Sequence, residues 1–414
     1  MKQRIPFILL LQFLLSQTEH PSIHQEQLEK YKTKPDPTIE KVHVLTGLDV
    51  LLEKKQDLIQ GKSIALVTNH SGIDRFGTPN YRRLMAMENV DLKVIFSPEH
   101  GLFGEADAGE KVTYSKNILN LPEVISLYGK TRKPTAEMLE GIDLILYDIQ
   151  DIGARFYTYI TTLGLVMERA GELGIPVIVL DRPNPIRGDM IEGPTLDLDY
   201  QTFVGYYPIP IRYGGTVGGL AQQIIENNWI KHIPKLEVIQ MEGWEKKFWF
   251  DETDLPWVKP SPNIPDLETA IIYPGMCIIE GTNLSEGRGT QNPFKQIGAP
   301  WVDGKLLSQK LNKYKIPGVV FKPVSFTPVS IPGMSTYPKF QDEKCYGIEI
   351  IILDRNSFNS VNTGVMTLHT LYSMYPEKIT FKEKHLNRLW GSDQLLNELK
   401  NGKGAMDFIR SIHN

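Results

Sequence analysis

Cysteine is scarce in this chain, with two in 414 residues, Cys277 and Cys345. The sequence contains no CxxC, no HExxH and no cluster of cysteine with histidine, so it gives no indication of a structural zinc site. Cys277 lies in the apolar run MCII, which favours a buried free thiol over a disulfide. We therefore expect no metal site built on cysteine.

Basic charge is also lacking, since the net charge is −4 at pH 7 and no dense run of lysine or arginine occurs. This charge balance excludes the basic footprint that nucleic-acid binding requires. The motifs that cradle phosphates are missing too, because there is no GxxxxGK[ST] and no GxGxxG after the first predicted strand. A GxSxG nucleophile elbow is absent as well, which argues against an α/β-hydrolase. We expect neither a nucleic-acid partner nor a cofactor.

The apolar run near the N-terminus, from Ile5 to Leu15, is too short to span a bilayer. Lys2 and Arg4 precede this run and a polar segment follows it, which is the pattern of a secretory signal peptide. No small-x-small cleavage triplet follows the run. We predict a signal peptide at residues 1–20 and a linker at 21–42. The mature protein is then exported to the periplasm or the extracellular space, without a transmembrane segment.

The rest of the chain alternates short apolar runs with helical patterns. Six runs are predicted as strands: Ser63–Thr68, Leu92–Phe96, Val124–Leu127, Leu144–Tyr147, Val177–Leu180 and Leu236–Gln240. Helices are predicted at Leu48–Ile59 and at Arg155–Leu173, where apolar residues recur at spacings of three and four. Such alternation predicts an α/β fold with a doubly wound, Rossmann-like parallel sheet, which we place at residues 43–265.

After residue 265 the sequence changes to loops rich in glycine, proline and asparagine, with short strands such as Gly347–Leu353. Helices are predicted at Leu306–Tyr314 and Val365–Tyr375. We therefore predict a smaller α+β domain at residues 266–414 that contributes to a shared cleft.

Polar residues follow four of the predicted strands, at Asn69-His70, at Glu99-His100, from Asp148 to Asp151 and from Asp181 to Asn184. In open α/β sheets, ligands bind beyond the carboxyl ends of the strands. Asparagine, aspartate and proline also favour turns without any chemistry. Four such ends on one rim nevertheless indicate an active-site cleft.

Several segments are long and specific enough to indicate a family. They are SPEHGLFGE (97–105), DIQDIGARFYTYI (148–160), LDRPNP (180–185), PSPNIP (260–265) and EGTNLSEGRGTQNPF (280–294). In this order they resemble the exo-acting peptidoglycan β-N-acetylmuramidases, the NamZ family, and the resemblance runs from about residue 45 to the C-terminus. Tyr213 and Gly219 depart from the pattern, which has histidine and glutamate at those positions; they either contact sugar or only cap a helix.

The resemblance implies a Rossmann-like domain, a smaller second domain and a cleft between them. It also implies a glycoside hydrolase that releases N-acetylmuramic acid (MurNAc) from the non-reducing end of peptidoglycan fragments. The partners are then MurNAc-terminated glycans derived from peptidoglycan.

Glycosidases use one carboxylic acid to protonate the leaving oxygen and a second group to attack or assist. We predict that Glu99 is the acid, because it stands at a strand end next to His100 and is followed by Gly101, where the backbone can turn tightly. For the second group we favour Asp151, with Asp148, Glu280 and Glu286 as alternatives. The acetamido oxygen of the substrate is a further alternative, since it can attack the anomeric carbon itself.

MurNAc carries a lactyl carboxylate, and arginine is the side chain best suited to bind such a group. Arg155 and Arg288 are the candidates, although Arg155 can instead pair with Asp151 four residues earlier. The other predicted substrate-binding residues, together with two further aromatic candidates, are Asn69, His70, His100, Tyr157, Asn283, Glu286, Tyr159 and Trp257.

Two other functions compete with this interpretation. A metal-dependent cell-wall hydrolase is one, with a nitrogen and oxygen ligand set drawn from His70, Glu99, His100, Asp148 and Asp181. A non-catalytic carbohydrate-binding protein is the other. Loss of activity in EDTA would indicate the first, and binding without turnover would indicate the second.

Overall fold

The computed structural model describes residues 40–106, 120–402 and 404–412. The predicted signal peptide and most of the predicted linker lie outside the described residues. Residues Lys41–Asn414 form one compact unit. The backbone N–H of Val42 donates to the carbonyl of Glu252 at 2.7 Å, so the last residue of the predicted linker already belongs to this unit.

The described residues contain eleven strands, six of which form one large sheet. They are β1 (Lys62–Thr68), β2 (Val90–Ser97), β3 (Glu123–Ser126), β4 (Leu144–Asp148), β5 (Val177–Leu180), β6 (Glu192–Thr195), β7 (Pro210–Arg212), β8 (Leu236–Ile239), β9 (Gln296–Ala299), β10 (Val319–Phe326) and β11 (Cys345–Ile352). The large sheet has the order β3-β2-β1-β4-β5-β8, and every neighbouring pair is parallel. All six predicted strands are present, which confirms the predicted α/β fold with its doubly wound sheet.

The helices connect and cover these strands. They are α1 (Gly47–Lys54), α2 (Asn80–Met85), α3 (Tyr159–Leu173), α4 (Val217–Glu226), α5 (Leu267–Met276), α6 (Gly304–Lys313), α7 (Ser360–Met374), α8 (Glu383–Trp390), α9 (Gln394–Asn401) and α10 (Ala405–Ile412). The predicted helix at 48–59 is divided, because α1 ends at Lys54 and a separate 3₁₀ turn follows at Gln56–Leu58. Within the described ranges, no helix has the length and apolar character needed to span a membrane.

Helix α3 begins at Tyr159, four residues later than the apolar periodicity predicts. The backbone N–H of Arg155 donates to the carbonyl of Ile211 at 2.8 Å, and Ala154 forms an isolated bridge with Arg212. These residues therefore pair with β7 instead of turning into the helix. The C-terminus is as predicted, since Gly174 adopts a left-handed φ of 70° and ends the helix.

The point where the strand order reverses lies between β1 and β4, which is where a dinucleotide binds in a Rossmann fold. Here side chains fill that crevice. Asn80 Nδ2 donates to Thr68 Oγ1 at 2.7 Å and to Asp148 Oδ2 at 2.8 Å. Arg182 also donates to both carboxylate oxygens of Asp148, at 2.6 and 2.9 Å.

The C-terminal part is built on a second, antiparallel sheet with the order β10-β11-β9. Its predicted strand and both predicted helices are present as β11, α6 and α7, so the smaller α+β part is confirmed. One buried apolar cluster includes residues of both parts, for example Ile145 and Ile348. The boundary at 265/266 stays a prediction. Cys277 and Cys345 are buried free thiols, as predicted for Cys277.

Candidate active site

Glu99 follows β2 at the carboxyl rim of the large sheet, two residues after the strand ends. Its Oε2 accepts a hydrogen bond of 2.8 Å from the hydroxyl of Thr158, which lies directly before α3. Burial, the charge of Glu99 and a hydrogen bond to that carboxyl raise the pKa of the Tyr128 phenol well above its usual value. Tyr128 therefore stays a neutral donor to Glu99. Two hydroxyls from neighbouring elements thus orient this carboxyl.

The backbone turns sharply directly after Glu99. His100 has a φ of 69° and Gly101 a φ of 74°, so two successive residues are left-handed. This conformation is costly for a histidine and is typical of functional sites. His100 is buried, and its Nδ1 lies 2.8 Å from the carbonyl of Ala106. The turn holds the Glu99 side chain at the rim while the chain doubles back.

Asn69 and His70 follow β1 on the same rim. His70 Nε2 lies 2.6 Å from the carbonyl of Lys259, in the segment that leads into the C-terminal part. Burial lowers the pKa of His70, so its imidazole is neutral at pH 7. Its ring packs on the backbone at Gly104, where a Cβ atom would lie only 2.2 Å from the ring. His70 thus joins the Glu99-bearing segment to the 259–263 segment.

A cluster of aromatic rings runs from the Glu99 region into the C-terminal part. Tyr157 and Tyr159 flank Thr158, and their rings are 4.7 Å apart between centroids. Tyr159 also donates to the carbonyl of Pro260 at 2.8 Å. Tyr157 contacts Tyr273 at 6.2 Å. The predicted sugar-stacking residues Tyr157 and Tyr159 therefore lie next to the hydroxyl that holds Glu99.

Arg288 lies at the far end of this cluster. Tyr273 packs against Phe294 at 4.8 Å, and the Arg288 guanidinium lies 4.9 Å above the Phe294 ring. Nη2 of Arg288 donates to Glu280 at 2.7 Å, and Nε lies 3.6 Å from a Glu286 oxygen. The third nitrogen, Nη1, makes no hydrogen bond within the described parts of the chain.

The two carboxylates beside Arg288 form ion pairs with that cation and with other basic side chains. Burial raises the pKa of Glu280, but the charge of Arg288 and contacts with His385 outweigh it and lower that pKa overall. Glu286 is buried, and its Oε2 accepts a hydrogen bond of 2.8 Å from Lys339. We therefore assign Glu280 and Glu286 to holding Arg288, and the prediction that Glu286 binds substrate stays a prediction.

Asp151 follows β4 on the same rim and is buried. Its Oδ2 accepts hydrogen bonds from the Tyr213 hydroxyl at 2.6 Å and from the backbone of Gly153 at 2.7 Å. Burial raises the pKa of this carboxyl to about 6. Tyr213 thus contacts a candidate catalytic group, whereas Gly219 donates its N–H to the Thr216 cap of α4. The role of Asp151 as the second catalytic group stays a prediction.

Two predicted site residues belong to the scaffold. Asp148 is fully buried, and both its oxygens are bound by Arg182 and Asn80, so it is not available as a catalytic group. Arg155 is fully buried as well, and it makes no ion pair with Asp151. Its guanidinium donates to four carbonyls, those of Pro194, Ile209, Leu389 and Trp390. The prediction that Arg155 binds the lactyl carboxylate is therefore wrong.

Two further polar candidates make structural contacts. The Asn283 amide donates to the carbonyl of Lys378 at 2.9 Å and accepts from the backbone of Thr380 at 3.0 Å, so it ties two chain segments together. Trp257 donates to the carbonyl of Pro265 and packs edge-on against Phe250. Both side chains are partly exposed, and their predicted roles in binding sugar stay predictions.

The alternative metal site is not assembled. Asp181 accepts hydrogen bonds from the Thr216 hydroxyl and the Gly218 backbone, and Asp148 is bound by Arg182. In the parts of the chain that the structure describes, no group of three histidine, cysteine, aspartate or glutamate side chains is arranged to hold a metal ion.

The sequence alone did not indicate Thr158 or Tyr128 as partners of Glu99. Thr158 lies in the segment 148–160 that carries the family resemblance, but threonine is also common before a helix without any catalytic role. Tyr128 was detectable in principle, because it follows β3, the neighbour of β2 in the sheet. Its position two residues beyond that strand places it on the same rim.

The chain is similar to known proteins over most of its length. Residues 64–268 match the N-terminal domain of exo-β-N-acetylmuramidase NamZ, and residues 271–414 match its C-terminal domain. The peptidoglycan β-N-acetylmuramidase NamZ of Bacillus subtilis is 42% identical over 376 residues, which is 90% of this chain and 88% of that protein.

Two crystal structures from Bacteroides fragilis share the fold, both described as DUF1343 family proteins. One has a TM-score of 0.81 and 32% identity, covering 91% of this chain and 98% of its own. The other has a TM-score of 0.69 and 28% identity, covering 89% and 94%. The two domain matches together span most of the chain and agree with these relatives. The chain therefore belongs to the exo-β-N-acetylmuramidase NamZ family.

Proposed function

We propose that this protein is an exo-acting glycoside hydrolase that releases MurNAc from the non-reducing end of peptidoglycan fragments. Family membership supports the reaction class. One observation supports the location of the active site: the Glu99 carboxyl lies at the carboxyl rim of the large sheet and accepts a hydrogen bond of 2.8 Å from the Thr158 hydroxyl. A carboxyl oriented in this way is suited to protonate the oxygen of a departing sugar.

Two groups compete for the second role in the reaction. Asp151 is one, because it lies on the same rim with a pKa raised by burial to about 6. It is buried beneath Tyr213, so it acts directly only if substrate reaches it. The acetamido oxygen of MurNAc is the other group, and it needs only a polar neighbour that orients it.

Arg288 is the residue we assign to the lactyl carboxylate. It is partly exposed, its charge is fixed by Glu280, and its Nη1 is uncommitted within the described ranges. A guanidinium with one free edge can donate hydrogen bonds to a further carboxylate. We further propose that the protein is exported, because residues 1–20 have the composition of a signal peptide.

Incubation with a MurNAc–GlcNAc disaccharide, followed by mass spectrometry, tests this function. We expect free MurNAc and GlcNAc. With longer chains that begin with MurNAc, the first product is expected to be free MurNAc, and chains that begin with GlcNAc are expected to resist. A spread of oligomers at early times would contradict exo action, and binding of MurNAc without turnover would contradict hydrolysis.

A further inference from the structure

The segment between β10 and β11 contains a tight loop, residues 329–338, which we call the 329–338 loop. Its turn is closed by paired backbone hydrogen bonds between Ile331 and Ser335, at 2.8 and 3.0 Å. At its start, the N–H of Val329 donates to the carbonyl of Gly289 at 2.9 Å. The loop is therefore fixed beside Arg288.

The tip of this loop reaches the segment that carries Glu99. A Cβ atom on Gly333 would lie 2.7 Å from the carbonyl oxygen of Glu105, so the two backbones are in direct contact. The next residue, Met334, accepts a hydrogen bond of 2.6 Å from Asn263 Nδ2. The 329–338 loop thus borders the candidate site between the acid-bearing segment and Arg288.

Tyr337 is the exposed aromatic residue of this loop. Its relative exposure is 90%, which is the highest among the exposed large hydrophobic side chains of the described residues. It directly precedes Pro338, which is buried against Gly289, where a Cβ atom would lie 2.7 Å from the proline ring. Because a residue before proline has a restricted backbone, the Tyr337 ring projects from a fixed base.

We propose that Tyr337 is a platform for the glycan on the leaving-group side of the scissile bond. This inference rests on the proposed exo activity. An exo-acting enzyme encloses only the terminal sugar, so the rest of the chain lies along the surface beside the pocket. A solvent-exposed ring on a rigid loop offers an apolar face to a pyranose and loses little conformational freedom on binding.

Kinetics of Tyr337→Ala, with Tyr337→Phe and Phe76→Ala as controls, test this role. Phe76 is 78% exposed and lies after β1, outside the 329–338 loop. With MurNAc-terminated GlcNAc–MurNAc chains, we expect Tyr337→Ala to raise KM by about two- to tenfold, the range for one aromatic contact. We expect kcat to be unchanged, because the ring does not touch the reacting atoms.

Inhibition by free MurNAc separates this role from binding of the terminal sugar. The inhibition constant should be the same in the wild type and Tyr337→Ala, and both control variants should retain the wild-type KM. An unchanged KM in Tyr337→Ala would overturn the inference, and so would a parallel rise in KM and in the inhibition constant. A wild-type protein that releases no MurNAc would instead contradict the proposed function.

Discussion

The hydroxyl of Tyr213 donates a hydrogen bond of 2.6 Å to the buried carboxyl of Asp151. The same oxygen accepts from Gly153, whereas the other oxygen, Oδ1, has no partner among the described residues. Burial raises the pKa of Asp151 to about 6, and burial together with the Asp151 charge keeps the Tyr213 phenol neutral. This chain therefore holds the Asp151 carboxyl with a neutral donor.

This arrangement predicts that Asp151→Asn stabilises the protein at neutral pH. The folded-state pKa of about 6 exceeds the ordinary value of 3.8, so the native fold favours the protonated carboxyl. The stability that the protonated Asp151 carboxyl contributes is fully present below about pH 4 and is lost as the pH rises through 6. At about 1.36 kcal/mol per pKa unit, Asp151→Asn should gain roughly 2–3 kcal/mol over the wild type at pH 8.

Urea unfolding of both proteins at pH 4.5 and pH 8 measures this difference. The two free energies of unfolding should differ by about 1 kcal/mol at pH 4.5, where the wild type has lost part of this contribution, and by the full amount at pH 8. Tyr213→Phe serves as the partner variant, because loss of its donor should raise the pKa of Asp151 further and move the separation to higher pH. A constant difference at all pH values would show that Asp151 does not titrate in this range.

Arg155 is predicted to support stability and not substrate selectivity. Arg155→Met leaves four carbonyls without their donor, and each buried unsatisfied group costs about 1–3 kcal/mol. We expect a loss of at least about 3 kcal/mol in chemical unfolding. Arg410→Ala is the control, because that side chain is 72% exposed and should leave stability unchanged. A stable Arg155→Met protein with lost preference for MurNAc would restore the carboxylate-binding role.

The fold was predictable because each of its strands and helices is indicated by a short stretch of neighbouring residues. Each strand of the large sheet is a short apolar run, and the polar residues after it mark the rim, so Glu99 was found from its place after β2. The roles of Arg155 and Asp148 were not predictable. Their partners are 34 to 235 positions away in sequence. Only the folded chain shows that carbonyls accept the hydrogen bonds of Arg155 and that Arg182 binds the carboxylate of Asp148.

The same limit applies to Thr158 and Tyr128. Each is ordinary in its own segment, and their importance comes from convergence on Glu99 from separate elements. Arg288 was singled out as a cation in a characteristic segment, but its two carboxylate neighbours are visible only in the structure.

Arg288 is expected to control the preference for MurNAc over GlcNAc. A charge-assisted hydrogen bond contributes about 1.5–3 kcal/mol, so Arg288→Ala should lower kcat/KM on MurNAc glycosides at least about tenfold more than on GlcNAc glycosides. Arg288→Lys should recover only part of this preference, because an ammonium group lacks the planar pair of donors.

Loss of Arg288 also leaves Glu280 without its cation, which can disturb the fold. Glu280→Gln together with Arg288→Ala removes both charges and is the matched control. If the double variant regains stability but not selectivity, Arg288 acts on the substrate. Equal losses on both classes of substrate would assign Arg288 to structure alone.

Glu99 is predicted to supply the proton to the departing glycosidic oxygen. Glu99→Gln keeps the shape of the side chain and its contact with Thr158 but removes the acid. General acid–base catalysis contributes roughly 10²–10⁴-fold, so kcat on the MurNAc–GlcNAc disaccharide should fall by about that factor. A nitrophenyl MurNAc glycoside has a good leaving group that needs little protonation, so its cleavage should fall much less.

The ratio of the two losses distinguishes acid catalysis from a folding defect, because misfolding lowers both rates alike. Thr158→Val is the companion variant, since it retains the Glu99 acid but removes the hydroxyl that orients it. Misorientation of a general acid impairs the same step, so Thr158→Val should show the same ratio in weaker form. If folded Glu99→Gln keeps near-native turnover of the disaccharide, the acid is another group. Because Asp148 is enclosed by Arg182 and Asn80, Asp151 would then be the next carboxyl to substitute.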